Sequence, residues 1–345
     1  MTQQAERWFH RRGDLAAAGW ETVVDEHTPG WAHTGLRVGR LSAGDTLALD
    51  GTGVERLVVP LSGSFSVRYR SAGAGSGAGA DTVADTVTEL AGRASVFDGP
   101  TDVLYLGADA TGTVTATGAD ESRFLVATSP TDIVRPSHYM PVADMPVELR
   151  GAGASSRQVH NFGRKESLDA ARFIVVEVIT PAENWSSYPP HKHDEHVPGH
   201  ESELEEIYYF EVAPTQDAPA GVSAEHAFGM FSTYSSPAGP IEIDARVYTG
   251  DVALVPHGYH GPAVAAPGYD MYYLNVMAGP DPERSWLISD DPAHGWVRET
   301  WEGQELDPRL PFASATSGIQ AVPAAADPSA STTTTVPAPE TEDPR

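Results

Sequence analysis

The run YPPHKHDEH, residues 188–196, places His191 and His193 two positions apart. Side chains alternate along an extended strand, so both imidazoles share one face. There they can chelate one divalent ion at about 2.0–2.1 Å. The loop that follows ends at Glu206, at the head of the strand-like run EIYYF. A carboxylate there can fold back beside the two histidines. VPHGYH, residues 255–260, offers one more nitrogen, from His257 or His260. Three nitrogens and a carboxylate oxygen suit Zn, Mn, Fe, Co or Ni and leave positions open for water or substrate. Seven of the thirteen histidines fall between positions 191 and 260, so the metal chemistry is concentrated there. His196 and His200, in the intervening loop, are expected in solvent or behind the ligands.

Composition narrows the choice of ligands. The 345-residue chain has no cysteine, which excludes disulfides, thiolate metal sites and thiol nucleophiles. Lys+Arg is 22 and Asp+Glu is 48, a net charge of 22 − 48 = −26. Such a surface repels phosphate backbones and anionic lipid heads, so no nucleic-acid or membrane partner is expected. No apolar run approaches the ~18–20 residues that span a bilayer. The opening MTQQAERWFHRRGD lacks the apolar core of a secretory signal. A cytoplasmic protein is expected.

The elements that must position these residues are strands. Alternating or β-branched and aromatic segments recur at 56–61, 64–70, 101–106, 122–128, 172–180, 205–212, 252–256 and 270–277. Gly and Pro punctuate them at short intervals, the pattern of an all-β sandwich or barrel. A short helix is expected after Pro282, over ERSWLIS. The Gly/Ala/Ser run 71–80 reads as a flexible hairpin loop before a strand at 82–89. The Ala/Pro/Ser/Thr-rich stretch 313–345 cannot bury enough apolar surface to order itself, and is expected to be disordered. A Pro- and Gly-rich segment, 129–165, lies between two strand-rich halves, and 93–106 is loosely echoed at 245–260. The reading is two tandem β domains, residues 1–145 and 146–312, with the histidines in the second.

Taken together, WSSYPPHKHD (185–194), ESELEEIYYF (201–210), GDVALVPHGYHGP (250–262), YYLNVMAGP (272–280) and DDPAHGWVRETW (290–301) resemble the 5-deoxy-glucuronate isomerase family of myo-inositol catabolism. RASVFDGPTDVLYL (93–106) and ESRFLVATSP (121–130) fit the same family, a two-cupin relative of 5-keto-4-deoxyuronate isomerase. The resemblance spans about residues 5–312. It implies a bicupin of two jelly-roll-like barrels, the first without a metal site. It carries the metal ligands over to His191, His193, Glu206 and His260. Glu206 is preferred to Glu205 because in the related isomerase the liganding Glu immediately precedes an apolar residue and an aromatic strand, here Ile207–Tyr208. His260 is preferred to His257 because it closes the HGYH turn. A homo-oligomer is also implied.

The resemblance further implies an aldose–ketose isomerase, an intramolecular oxidoreductase that turns 5-deoxy-D-glucuronate into 5-dehydro-2-deoxy-D-gluconate. A Lewis-acid metal and a proton-shuttling base suffice for this chemistry. Candidates for the base are Glu206, Tyr208, His257 and Tyr259. An acidic protein must grip an acidic sugar locally, and guanidinium does this bidentately. Arg298, Arg246 and Arg172 are the candidates, with Arg284 as a further one. Competing readings are the unsaturated-uronate isomerase of pectin breakdown, a cupin dioxygenase and a non-catalytic sugar-binding cupin.

Overall fold

The computed structural model describes residues 7–71, 85–281, 283–313 and 322–323. Strands dominate it, joined by turns and short 3-10 segments. The histidine-bearing half is built on an eight-stranded sheet. Its order is Phe9–His10, Val252–Val255, Glu205–Pro214, Tyr269–Ala278, Ile174–Thr180, Arg157–His160, Val147–Arg150 and Val322–Pro323. A second sheet, Gly239–Val247, Gly229–Ser236, Tyr259–Ala265, His191–Lys192 and Ser289–Asp290, closes over it. Phe231 of this sheet packs on Tyr208 and Phe210 of the larger one, with ring centroids 4.7 and 5.3 Å apart.

The other half is a nine-stranded, curled sheet. The 17-residue strand Val54–Arg70 serves both of its layers. Its first part pairs with Val103–Leu106 and Ser122–Pro130, and its last part with Thr86–Arg93 and Thr111–Ala116. Register shifts at Pro60/Ser62 and Gly63/Phe65 let it turn between layers. The segments 56–61 and 64–70, expected as two strands, are thus one bulged strand. The interior of this barrel is filled by Trp20, Phe65, Phe124 and aliphatic side chains. Both halves are cupin-type barrels and the chain is all-β, as expected.

The halves share a core that runs from Trp31, Leu36 and Tyr105 through Phe173 and Val175 to Tyr272. The large sheet is therefore covered on both faces. This is why IVVEVIT, residues 174–180, is apolar almost throughout and buried throughout. Buried carboxylates clamp the junction. Glu55 accepts hydrogen bonds from the backbone N–H groups of Ala171, Arg172 and Phe173 and from the Tyr105 hydroxyl. Glu177 receives the Arg93 guanidinium bidentately at 2.8 Å, the Tyr272 hydroxyl at 2.6 Å and His160 Nδ1 at 2.6 Å.

Two expectations are corrected. Residues 283–288 form no helix. Arg284 donates to the carbonyls of Gly163, Leu168 and Phe173, and Leu287 pairs with Ser202, which holds the segment extended. The helical turn lies later, at Gly295–Trp301. The segment 129–165 is not merely a junction. It contains the hairpin Val147–Arg150 and Arg157–His160, which widens the large sheet. A strand runs over Thr86–Arg93; most of the Gly/Ala/Ser loop, and nearly all of 313–345, lie outside the described residues. No helix among the described residues is long and apolar enough to cross a membrane.

Candidate metal centre and substrate cavity

His191 and His193 sit at the rim of the smaller sheet, where His191 pairs with His260. The alternation expected from their spacing is observed: Lys192, between them, turns the other way and binds Asp194, Glu195 and Glu201 at 2.7–2.8 Å. Gly261 brings the His260 strand in. Its φ is +95°, and a Cβ there would lie 1.8 Å from the Ser187 carbonyl oxygen, so only glycine fits.

Candidate metal-binding atoms of the three imidazoles lie within 4.8 Å of one another, and all three rings are buried. In each ring Nδ1 is hydrogen-bonded to a main-chain carbonyl: His191 to Pro189 (3.3 Å), His193 to Leu204 (3.0 Å) and His260 to Gly258 (3.1 Å). These bonds orient each ring through Nδ1 and turn its Nε2 inward, and in His193 that Nε2 donates to the Glu206 carboxylate. The Glu206 Oε2 oxygen lies 3.0 Å from Nε2 of both His193 and His260. Among the described residues, His260 Nε2 makes no hydrogen bond despite that distance, an orphaned buried nitrogen. Three oriented nitrogens, one of them orphaned, beside one carboxylate are a donor set that fits a divalent ion.

The electrostatics tie His193 to Glu206: burial would lower the His193 pKa, but the bond to Glu206 and its charge raise it. Burial alone would raise the Glu206 pKa, but the hydrogen bond from His193 and the neighbouring His260 bring it down to about 2, so it is ionised. Burial, then His260, His193 and the Arg298 guanidinium, push His191 well below its ordinary value and keep it neutral.

The cluster opens into a cavity with about 490 Å³ of non-atom space, open solvent at its mouth included. His191, Glu206 and Tyr208 line it together with Ser187 and Tyr273. The Ser187 hydroxyl lies 3.2 Å from that of Tyr208 and 3.1 Å from that of Tyr273, a short hydroxyl chain. Ser187 has φ +46°, a left-handed backbone uncommon outside glycine and often found at working sites. Burial, then the Glu206 charge, raises the Tyr208 pKa well above its ordinary value.

Of the four residues expected to move protons, only Glu206 and Tyr208 line this cavity. His257 Nε2 faces the Pro240 carbonyl at 3.2 Å. Tyr259, one residue from His260 and so on the opposite strand face, stacks on Tyr234 at 5.3 Å. Of the arginines, Arg298 lines the cavity and grips Asp290 through two nitrogens. Arg246 lies on an outer strand face over the Phe228 ring. Arg172 reaches the Asp281 carbonyl, and Arg284 is committed to three carbonyls. Neither lines the cavity. Two cavity arginines, Arg150 and Arg157, escaped the sequence reading. Their signal was VELR-GAGASS-RQVH, a hairpin with an arginine on each side of its loop. His196 is exposed and bound to Asp281 at 2.6 Å, and His200 is also exposed.

The KduI/IolB family model matches residues 8–297. The chain belongs to the KduI/IolB family. Among curated relatives of this family member, the 5-deoxy-glucuronate isomerase of Geobacillus thermodenitrificans is 36% identical over 278 residues, covering 80% of this chain and 90% of the relative. An IolB-like protein from Salmonella typhimurium LT2 is 30% identical with a TM-score of 0.71, covering 84% of this chain and 98% of that one. A structure of Bacillus subtilis oxalate decarboxylase, concerned with its Mn(II) centres, has a TM-score of 0.52 at 10% identity. It covers 82% of this chain and 79% of its own. That last likeness shows the cupin fold alone.

Proposed function

We propose that this chain is a metal-assisted aldose–ketose isomerase that converts 5-deoxy-D-glucuronate to 5-dehydro-2-deoxy-D-gluconate. One observation carries the reading. Three imidazoles, each held through Nδ1, converge with Glu206 at an arginine-lined cavity, in a chain whose curated relatives bear that activity's name. His191, His193, Glu206 and His260 would hold the ion. A divalent ion held there supplies Lewis-acid polarisation of the C1 carbonyl and C2 hydroxyl oxygens.

The reaction moves one hydrogen from C2 to C1 and one from O2 to O1, with no external oxidant. Glu206 would accept the C2 proton only through an oxygen released from the ion. Tyr208 stays protonated and donates rather than abstracts. Its link through Ser187 to Tyr273 provides a path for the hydroxyl proton from O2 to O1. The buried hydroxyls also keep bulk water from the reacting carbons. In this reading the other barrel is silent: its interior is apolar.

The test is an incubation of purified protein with 5-deoxy-glucuronate, followed by NMR, with and without chelator and under strict anaerobiosis. The ketose acid is expected without oxygen and not after chelation. Turnover that needs oxygen would point to a dioxygenase. Binding of the sugar with no isomer formed would point to a sugar-binding cupin.

A further inference from the structure

The cavity is lined by buried hydrogen-bond donors that no described residue satisfies. Arg150 Nε, Asn275 Nδ2 and Trp286 Nε1 are all buried and, among the described residues, have no hydrogen-bond partner. All three residues line the cavity that holds His191 and Glu206. Arg150 is 8% exposed and Asn275 3%. A buried donor left unmade is costly, so three around one cavity mark a place for an acceptor-rich group.

Their surroundings are cationic. The Arg150 guanidinium lies over the Trp286 ring at 5.3 Å. Arg157 and Arg298 both lie 5.5 Å from the Trp301 ring, and both line the same cavity. Arg150 and Arg157 are paired across the hairpin, so their side chains share the inner face of the sheet. The strand order places that hairpin beyond Tyr269–Ala278 and Ile174–Thr180, away from Glu206. Three strand spacings separate Glu206 from Arg157, about 14 Å along the sheet before its curl shortens the path. The hairpin end carries Arg150 and Arg157, with Glu148 on Arg150, while Asn275, paired with Tyr208 on the strand next to Glu206, lies between that end and the imidazoles.

We propose that Arg150, Asn275 and Trp286, flanked by Arg157 and Arg298, form the subsite for the C6 carboxylate of the open-chain sugar acid. This rests on the isomerase reading, and assigns the determinant of its preference for an acid over a neutral aldose. A carboxylate offers two acceptor oxygens to these donors, whereas a C6 alcohol offers one oxygen and brings a hydrogen. Arg150 is the specificity determinant. Its Nη2 is held by Glu148 at 2.8 Å, and its Nε is left for the ligand.

The test uses the metal-loaded enzyme with two substrates, 5-deoxy-glucuronate and the neutral aldose that has a primary alcohol at C6. Wild type is expected to prefer the acid in kcat/KM by at least about a hundredfold. Arg150→Gln is expected to raise KM for the acid about tenfold or more, with kcat little changed and the neutral aldose unaffected. A second readout is calorimetric binding of the open-chain hydroxy acid reduced at C1, which cannot isomerise. Asn275→Leu is expected to weaken it severalfold, and not the matching neutral alditol. Wild type with no preference for the acid, or variants that lose both substrates equally, would overturn the subsite. Failure to isomerise either substrate would instead sink the isomerase reading, and the reduced-acid binding still reports on the subsite.

Discussion

Glu205 and Glu206 are neighbours on one strand and face opposite sides of it. Glu206 Oε2 meets His193 and His260 at 3.0 Å inside the metal-site barrel. Glu205 looks back toward the other half, where it accepts the backbone N–H groups of His33 and Thr34 at 2.8 and 2.7 Å, and the Thr34 hydroxyl at 2.9 Å. Strand alternation decides which carboxylate can reach a metal and which one joins the two halves.

These two carboxylates are separable by mutation. Glu206→Gln is expected to lower activity by more than the roughly 10–100-fold that loss of a supporting contact costs, with bound metal lost by elemental analysis and the circular dichroism unchanged. Glu205→Ala leaves buried N–H groups unsatisfied, at about 1–3 kcal/mol each. It is expected to lower Tm while metal content per folded protein stays the same. A Glu205 variant that sheds metal and keeps its Tm would reverse the assignment.

Removing the metal is expected to cost stability as well as activity. An ion bound only by the folded chain contributes about 2.7 kcal/mol at a hundred times its Kd. Chelation followed by dialysis should lower Tm by about 4 °C. His193→Ala, which takes out one ligand, should erase that difference. Scanning calorimetry with Mn, Fe, Co, Ni or Zn added back would identify the ions that restore both Tm and turnover.

The arginines divide by position. Arg298 lines the cavity and grips Asp290 with a two-pronged contact that an ammonium cannot reproduce. Arg298→Lys is expected to raise KM severalfold. Arg246→Ala and Arg172→Ala, both away from the cavity, should leave kcat and KM as they are. Steady-state kinetics on the three variants would check this, and an Arg246 effect as large as that of Arg298 would contradict it.

The cluster of His191, His193, His260 and Glu206 was legible in the sequence partly from strand alternation and partly from the family resemblance. His-x-His shares a strand face, and Glu206 rather than Glu205 heads the run Ile207–Tyr208. Parity also separates His260 from its neighbour Tyr259, but nothing local sends His257 to the Pro240 carbonyl. The cavity arginines were harder to see. Arg150 and Arg157 sit in a Gly- and Pro-rich stretch whose short strands carry little periodicity, and only pairing with Ile174–Thr180 draws them into the sheet. The clamps between halves were invisible for the same reason. Glu55 and Ala171 are 116 residues apart, and no local pattern ties a carboxylate to a distant backbone amide. Gly229–Ser236 was missed because Met230 stands exposed where alternation wants a polar residue, its serines and threonine dilute the apolar pattern and its glycine reads as a turn.

The last prediction concerns acid. Glu177 is buried with Arg93, His160 and Tyr272 around it. Burial opposes its ionisation, but the Arg93 charge and the bonds from His160 and Arg93 outweigh this and hold its pKa at about 2. A carboxylate depressed in the folded state binds its proton more readily when unfolded. Its contribution is therefore complete above the ordinary carboxylate range near 4.5 and is lost as pH falls toward 2. Glu177→Gln leaves the Arg93 guanidinium buried without its counter-charge, at a cost of about 3–5 kcal/mol at neutral pH. The gap between wild type and variant should then narrow as pH drops from 4.5 to 2, because wild type alone loses the ion pair there. Urea unfolding at several pH values reads this gap directly. A gap that stays constant down to pH 2 would mean that Glu177 does not carry the charge that joins the two halves.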